Sequence, residues 1–277
     1  MALRSYLHTS FDPRRIPGLH SWWDASDSAS VTLDAGRVSQ LSDKSGNARH
    51  LTNTTSGSTQ PSYVTGARNG LSVARFAAAS VQRLSVASST ATYKFLHDGT
   101  PCWWIAVTTY GDTTDPNALF MLMATCNATS AQVGFYYGFE DRSPTNNGVN
   151  FGVLRGSTGT YVIAADDGSN IKTAYQNIIT PQTLTVQEAL MDVGNATAAN
   201  RFALRINGGS SLAANQYTGT PSSASSTGNL TVGASSANTI PMTGDVCELL
   251  LFSSQPTAAA RDLIRRYLGA KWGVSVA

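Results

Sequence analysis

What this sequence lacks narrows it first. Asp, Glu, Lys and Arg together make up 13% of its 277 residues, about half of the roughly 25% usual in a soluble domain. Lys44, Lys94, Lys172 and Lys271 are the only lysines, and Glu140, Glu188 and Glu248 the only glutamates. Those two residue types normally fill the solvent side of helices, so a chain this short of them is not mainly helical. The formal net charge of +2 is spread thinly, and without clustered Lys and Arg there is no electrostatic footprint for nucleic acid. Cys102, Cys126 and Cys247 form an odd set with no Cys-x-x-Cys spacing. They imply neither a disulfide framework nor a zinc site, and they fit buried free thiols in a protein assembled in a reducing compartment. No stretch approaches ~18 apolar residues, so no membrane insertion is expected, and the N-terminus has no continuous apolar segment of the kind a secretion signal needs. These absences predict a soluble protein made in a cytoplasm.

What is present is a 42% hydrophobic fraction cut into many short stretches by Gly, Asn, Asp, Ser and Pro clusters, the pattern of an all-β chain. Predicted strands include Leu19 to Asp24, Cys102 to Tyr110, Gln132 to Phe139, Thr183 to Asp192, Arg201 to Ile206 and Val246 to Phe252. Asn207-Gly208 and Asp167-Gly168 read as hairpin turns. A dozen or so strands are too many for one open sheet without curling or splitting, so two stacked antiparallel sheets are expected. One helix, over 257–272, closes the chain. Thr257 can cap it, Leu263, Ile264, Tyr267, Leu268 and Trp272 build an apolar stripe, and Gly273 stops it. Arg261, Arg265, Arg266 and Lys271 are placed on the opposite face and in the last turn, where cations suit the helix dipole.

No domain boundary is visible within 18–277. The Ser/Gly/Thr-rich stretch 208–228 is read as a long surface loop, because the 49 residues after it are too few for an ordinary domain. Residues 1–17, with Arg4, Arg14 and Arg15 among prolines, form a basic irregular arm. It either lies along the sandwich or anchors the protein to a partner.

The segments PGLHSWWDASD (17–27), RVSQLSDKSGNARHLT (37–52), NGLSVARF (69–76), GDVCELLLFS (244–253) and RRYLGAKWG (265–273) carry a family resemblance. Together they resemble the laminin G-like, concanavalin A-like jelly-roll proteins, most closely those of tailed bacteriophages. Leu41 stands where the family pattern tends to have Trp. The matched residues are structural. The two tryptophans of Trp22-Trp23 point to opposite faces of a strand, one into the core and one under a loop or at an interface. Asp43-Lys44-Ser45-Gly46-Asn47 reads as a turn held by its Asp side chain. The resemblance implies a two-sheet antiparallel jelly-roll sandwich with the C-terminal helix packed on it. It also implies a non-enzymatic virion structural protein: a head-decoration, head-fibre or tail component that docks on capsid or tail proteins through Arg4, Arg14 and Arg15. Phage appendages of this kind are commonly trimeric, so a homo-oligomer located in the virion is expected.

Two further readings stay open. A carbohydrate-binding adhesin for a host surface polysaccharide needs aromatic rings beside amide or carboxylate groups. Tyr110 with Asp112, Tyr136 and Tyr137 near Asp141, and Tyr217 beside Asn215 supply such groups. A glycan hydrolase needs two carboxylates projecting to one face. The three glutamates are isolated in sequence, and no Glu-x-Asp-x-x-Glu strand, His-Glu-x-x-His pair, nucleophile elbow or phosphate loop occurs. No cofactor is implied. Asp166, Asp167 and Asn170 form an oxygen-rich loop of the chemistry that holds Ca²⁺, although Asp and Asn are also ordinary turn residues.

Overall fold

The computed structural model describes residues 11–109, 120–126, 133–139, 149–155, 161–166, 171–174, 182–213, 221–236 and 240–277. The first eight strands are β1 (Leu19–Asp24), β2 (Val31–Asp34), β3 (Arg37–Leu41), β4 (Leu51–Thr52), β5 (Ser62–Arg68), β6 (Leu71–Phe76), β7 (Leu84–Ser85) and β8 (Cys102–Thr108). Next come β9 (Phe120–Ala124), β10 (Phe135–Phe139), β11 (Val149–Arg155), β12 (Tyr161–Asp166) and β13 (Ile171–Ala174). Last in order are β14 (Thr185–Met191), β15 (Phe202–Ile206), β16 (Leu212–Ala213), β17 (Thr231–Val232), β18 (Gly244–Phe252) and the helix α1 (Ala258–Trp272).

The chain is therefore mostly β, with a single C-terminal α-helix among the described residues. The expectation of two separate sheets needs correction. All the strands join one hydrogen-bonded network, antiparallel throughout except where β10 runs parallel to β11. One run of the network passes through β18, β8, β14 and β15, with β1 and β6 along the other edge of β18. The other passes through β3, β4, β7, β17, β9 and β10. The two stay in one ladder because β6 pairs with β5, and Ser62 of β5 pairs with Arg37 of β3. The network curls over its own core instead of splitting.

Alternation along β8 shows where that core sits. Trp104 and Ala106 face the interior beside Trp23, Ala189, Leu249 and Leu251, and Leu41, Leu51, Leu84, Met123, Tyr137 and Val232 close the opposite wall. Trp103, Ile105 and Val107 face the other way, beneath α1, with Trp22, Leu250, Phe252, Ile264, Leu268 and Trp272. β8 is thus buried along its whole length, which is why it reads in sequence as a continuous apolar run and not as an alternation. Trp23 takes the interior and Trp22 goes under the helix. Asn207 and Gly208 both adopt positive φ, 52° and 73°, as a primed two-residue turn requires. Asp166 of β12 pairs with Ile171 of β13, while the turn Asp167-Gly168 itself lies outside the described residues.

The helix begins where Thr257 accepts from the Ala260 N–H at 3.2 Å and ends at Gly273 with φ 72°. Its cations are not arranged as expected. Arg265 and Lys271, assigned above to the polar face and last turn, are 6% and 5% exposed. Lys271 Nζ lies 2.7 Å from both Asp24 Oδ2 and Glu248 Oε2. Glu248 also accepts from Trp22 Nε1 at 2.8 Å, Trp272 Nε1 at 2.9 Å and the Tyr267 hydroxyl at 3.2 Å. Arg265 donates to Glu188 at 2.6 Å, and Trp103 Nε1 donates to the same carboxylate at 3.0 Å. The correction has a plain physical cause: a buried carboxylate is costly unless it is paired and fully hydrogen-bonded, and α1 supplies the cations that reach Glu188 and Glu248 and, with Lys44, Asp24. Burial works to raise the Asp24 carboxyl, but the Lys271 and Lys44 ammonium groups overcome it and hold Asp24 below the usual carboxylate range. Burial and the neighbouring Asp24 charge push Glu248 up.

The basic arm is described from residue 11 onward. Phe11 stacks on Tyr267 with ring centroids 5.1 Å apart, and Ile16 packs on the same cluster, so 11–17 lie along the helix side of the sandwich. Arg14 and Arg15 are exposed on a 3-10 turn, Arg14 paired with Asp12 at 2.8 Å. Arg4 lies outside the described residues.

Candidate functional site

The strand register lays a polar row across the outer face of the second run. Gln40 pairs with Thr52, Thr52 with Ser85, and Ser85 with Thr231. The residues one step along point inward and are apolar: Leu41 pairs with Leu51, and Leu84 with Val232. Period two therefore sends hydroxyls and an amide outward wherever leucine and valine go in. The row continues to Ala124 and Tyr136, where Met121, Cys126 and Ile240 cover it.

Where that cover ends there is a cleft of about 530 Å³, lined by Arg83, Ser85, Thr90, Thr227, Gly228, Asn229, Thr231 and Ser236. Its floor is ordered by its own hydrogen bonds. The Ser85 and Thr231 hydroxyls lie 3.1 Å apart, and Asn229 Oδ1 accepts from the Ser89 N–H at 2.8 Å, which leaves the Asn229 NH₂ as a donor. The Arg83 backbone is held at both ends: its N–H donates to Thr59 O at 3.1 Å and its carbonyl accepts from Asn53 Nδ2 at 3.0 Å. The half-buried Arg83 guanidinium has no ion pair or hydrogen bond among the described residues. No carboxylate among the described residues lines the cleft. The site is rich in donors and neutral hydroxyls, a surface chemistry suited to a ligand that carries many oxygens.

A smaller cleft of about 290 Å³ contains Arg68, Arg75 and Asp245. There the cations are already used, with Arg68 Nη2 2.8 Å and Arg75 Nε 2.6 Å from the Asp245 carboxylate. Among the described residues no group of three or more His, Cys, Asp or Glu side chains could hold a metal ion, and no helix is long and apolar enough to cross a membrane.

Of the residues expected from sequence to bind sugar, only Tyr136 and Tyr137 fall among the described residues. Tyr136 is 6% and Tyr137 0% exposed. Tyr137 packs on Trp104 with centroids 4.5 Å apart and donates to Gln187 Oε1 at 2.6 Å. Burial removes both rings as stacking platforms. Tyr110, Asp112, Asp141, Asn215, Tyr217, Asp167 and Asn170 lie outside the described residues, and of Asp166 only its place in β12 is described. Sequence reading missed Arg83, Ser85, Asn229 and Thr231. The signal was present as two short alternations, Arg83-Leu84-Ser85-Val86 and Asn229-Leu230-Thr231-Val232, but each is hard to notice inside a Ser/Thr-rich stretch.

No protein-family model and no curated protein sequence matches the chain. Solved structures do. The chain is similar to an arabinofuranosidase complexed with arabinofuranosyl-α-1,2-xylobiose, with a TM-score of 0.54 and 15% identity over 93% of this chain and 60% of that one. It is similar to Domain 4 of AbnA, a GH43 extracellular arabinanase from Geobacillus stearothermophilus, in complex with arabinotriose (TM-score 0.53, 12% identity, 90% of this chain and 99% of that one). A GH54 α-L-arabinofuranosidase soaked with a cyclic sulfate inhibitor matches at TM-score 0.55 and 14% identity, over 95% of this chain and 61% of that one. The chain thus spans about three-fifths of the two arabinofuranosidases and nearly the whole of the arabinanase domain. At these identities the likeness shows the fold.

It also corrects the function expected from the family resemblance. The three structures named above are two arabinofuranosidases and a domain of an arabinanase. The reading as a non-enzymatic phage structural protein is overturned, and with it the exclusion of an enzyme.

Proposed function

We propose that this chain is a glycan-active protein built on a concanavalin A-like β fold, and that its polar cleft between β7 and β17 binds a polysaccharide chain. The observation that carries the reading is the cleft itself, where hydroxyls, an amide and a guanidinium converge with no carboxylate among the described residues that line it. The arabinose-containing ligands of the similar structures make arabinan and arabinoxylan the first class to test. Affinity electrophoresis on gels containing each polysaccharide is expected to retard the protein. Ser85→Ala combined with Asn229→Ala removes two hydrogen-bonding groups and lowers affinity about tenfold. Migration unchanged on every polysaccharide, or retardation unaffected by the double substitution, refutes the cleft.

A hydrolase is the second reading, favoured by the two arabinofuranosidases that match over 93% and 95% of this chain. Glu188 and Glu248 are bound within the fold by Arg265 and Lys271, so they are not free to act as acid and nucleophile. Other carboxylates in the chain include Asp112, Asp115, Glu140, Asp141 and Asp167, all outside the described residues. Release of reducing ends from the same polysaccharides tests this reading, and Asp→Asn or Glu→Gln variants at those positions locate the pair.

A further inference from the structure

We infer that the cleft between β7 and β17 selects an acidic sugar, recognising its carboxylate through the Arg83 guanidinium. This rests on the glycan-binding reading of the same cleft and adds the charge of the ligand to it. Several other partly buried arginines are satisfied internally, while Arg205 shares with Arg83 the lack of a described side-chain partner. Arg37 donates to Gln60 O at 3.0 Å, Arg49 to His20 O at 2.6 Å, and Arg68 Nη2 lies 2.8 Å from Asp245. Arg83 is similarly half-buried, its backbone is pinned at both N–H and carbonyl, and its fork has no described partner. A half-buried arginine without an internal partner gains one here only from a ligand, because no Asp or Glu among the described residues lines the cleft.

The surrounding groups match the same ligand. The Asn229 NH₂ is left to donate once its Oδ1 is taken by Ser89, and the Ser85 and Thr90 hydroxyls stand ready for ring hydroxyls. The site offers donors in excess, and a sugar carboxylate supplies the missing acceptors, two coplanar oxygens that fit the guanidinium fork. A neutral pentose or hexose uses the hydroxyls and the amide but leaves the charge of Arg83 unanswered.

The test is isothermal titration of the full chain with a xylo-oligosaccharide carrying one glucuronic acid branch, and with the same oligosaccharide after carboxyl reduction. The acid form is expected to bind at least about tenfold more tightly, the scale of one charge-assisted bidentate contact. Arg83→Gln is expected to bring the two forms to equal affinity while its thermal unfolding stays that of the parent. Within the wild-type protein, raising the salt concentration is expected to weaken the acid form alone, so the answer does not depend on the variant folding. Equal wild-type affinity for both forms, or a preference for the acid form that survives Arg83→Gln, overturns the inference and leaves glycan binding standing. Failure of both forms to bind overturns the inference together with the reading beneath it.

Discussion

His20 makes the fold acid-sensitive within a defined pH window. Its ring is 8% exposed and packs on Tyr93 and Phe95, with centroids 5.0 and 4.7 Å away, while Nδ1 lies 3.1 Å from Ser21 Oγ. Burial, followed by the nearby Arg49 charge, lowers its pKa from 6.5 to about 4. The unfolded chain therefore holds more protons than the native state between those values. Stability is fully present above about pH 6.5, falls as pH drops through the window, and levels off below about pH 4. At about 1.4 kcal/mol per pH unit, His20 alone removes about 3 kcal/mol across it, a large share of an ordinary domain's stability. Burial also lowers His97, so the wild type loses somewhat more. His20→Phe keeps the aromatic packing and removes the titration. Urea midpoints followed by tryptophan fluorescence at about pH 7.5 and about pH 4.5 are expected to converge for this variant by about 2–3 kcal/mol relative to the wild type. Parallel losses in the two proteins would show that His20 is protonated in the native state and that its burial is not what governs it.

Other perturbations have equally direct outcomes. Lys271→Met leaves Asp24 and Glu248 buried without their shared ammonium and is expected to cost about 3–5 kcal/mol in denaturant unfolding, part of which returns when Glu248→Leu is added. Gly233→Ala places a methyl group against the Phe76 ring at a residue with φ of 90°. A loss of about 2–5 kcal/mol in thermal unfolding is expected from the strain and overpacking together. Thr257→Ala removes the cap on α1 and is expected to cost about 1 kcal/mol.

The long central elements were legible from local pattern. β1, β8, β14, β15 and β18 lie within or close to their predicted spans because they are apolar and β-branched or aromatic over several residues. The helix was legible to the residue at both ends, since Thr257 and Gly273 act through contacts inside one turn. The candidate site was not. Ser85 and Thr231 meet across 146 residues, through strands of two residues each that carry almost no periodic signal. The tyrosines chosen as sugar platforms failed for the opposite reason. Tyr136 and Tyr137 sit in a strand covered on both faces, and an aromatic's burial depends on what the chain later lays over it.

By itself, the sequence determined an all-β chain with one capped terminal helix, because those features follow from composition and from contacts a few residues apart. Only the tertiary structure decided where the scarce charges go. The amphipathic pattern of α1 sends Arg265 and Lys271 toward solvent, yet their carboxylate partners lie 77 residues away at Glu188 and 247 away at Asp24. A buried charge is tolerated only beside its counter-charge, and that neighbour is supplied by strand register, which no local pattern encodes. The same holds for Arg83, whose guanidinium stays unpaired because none of the described residues that the fold brings around the cleft is a carboxylate.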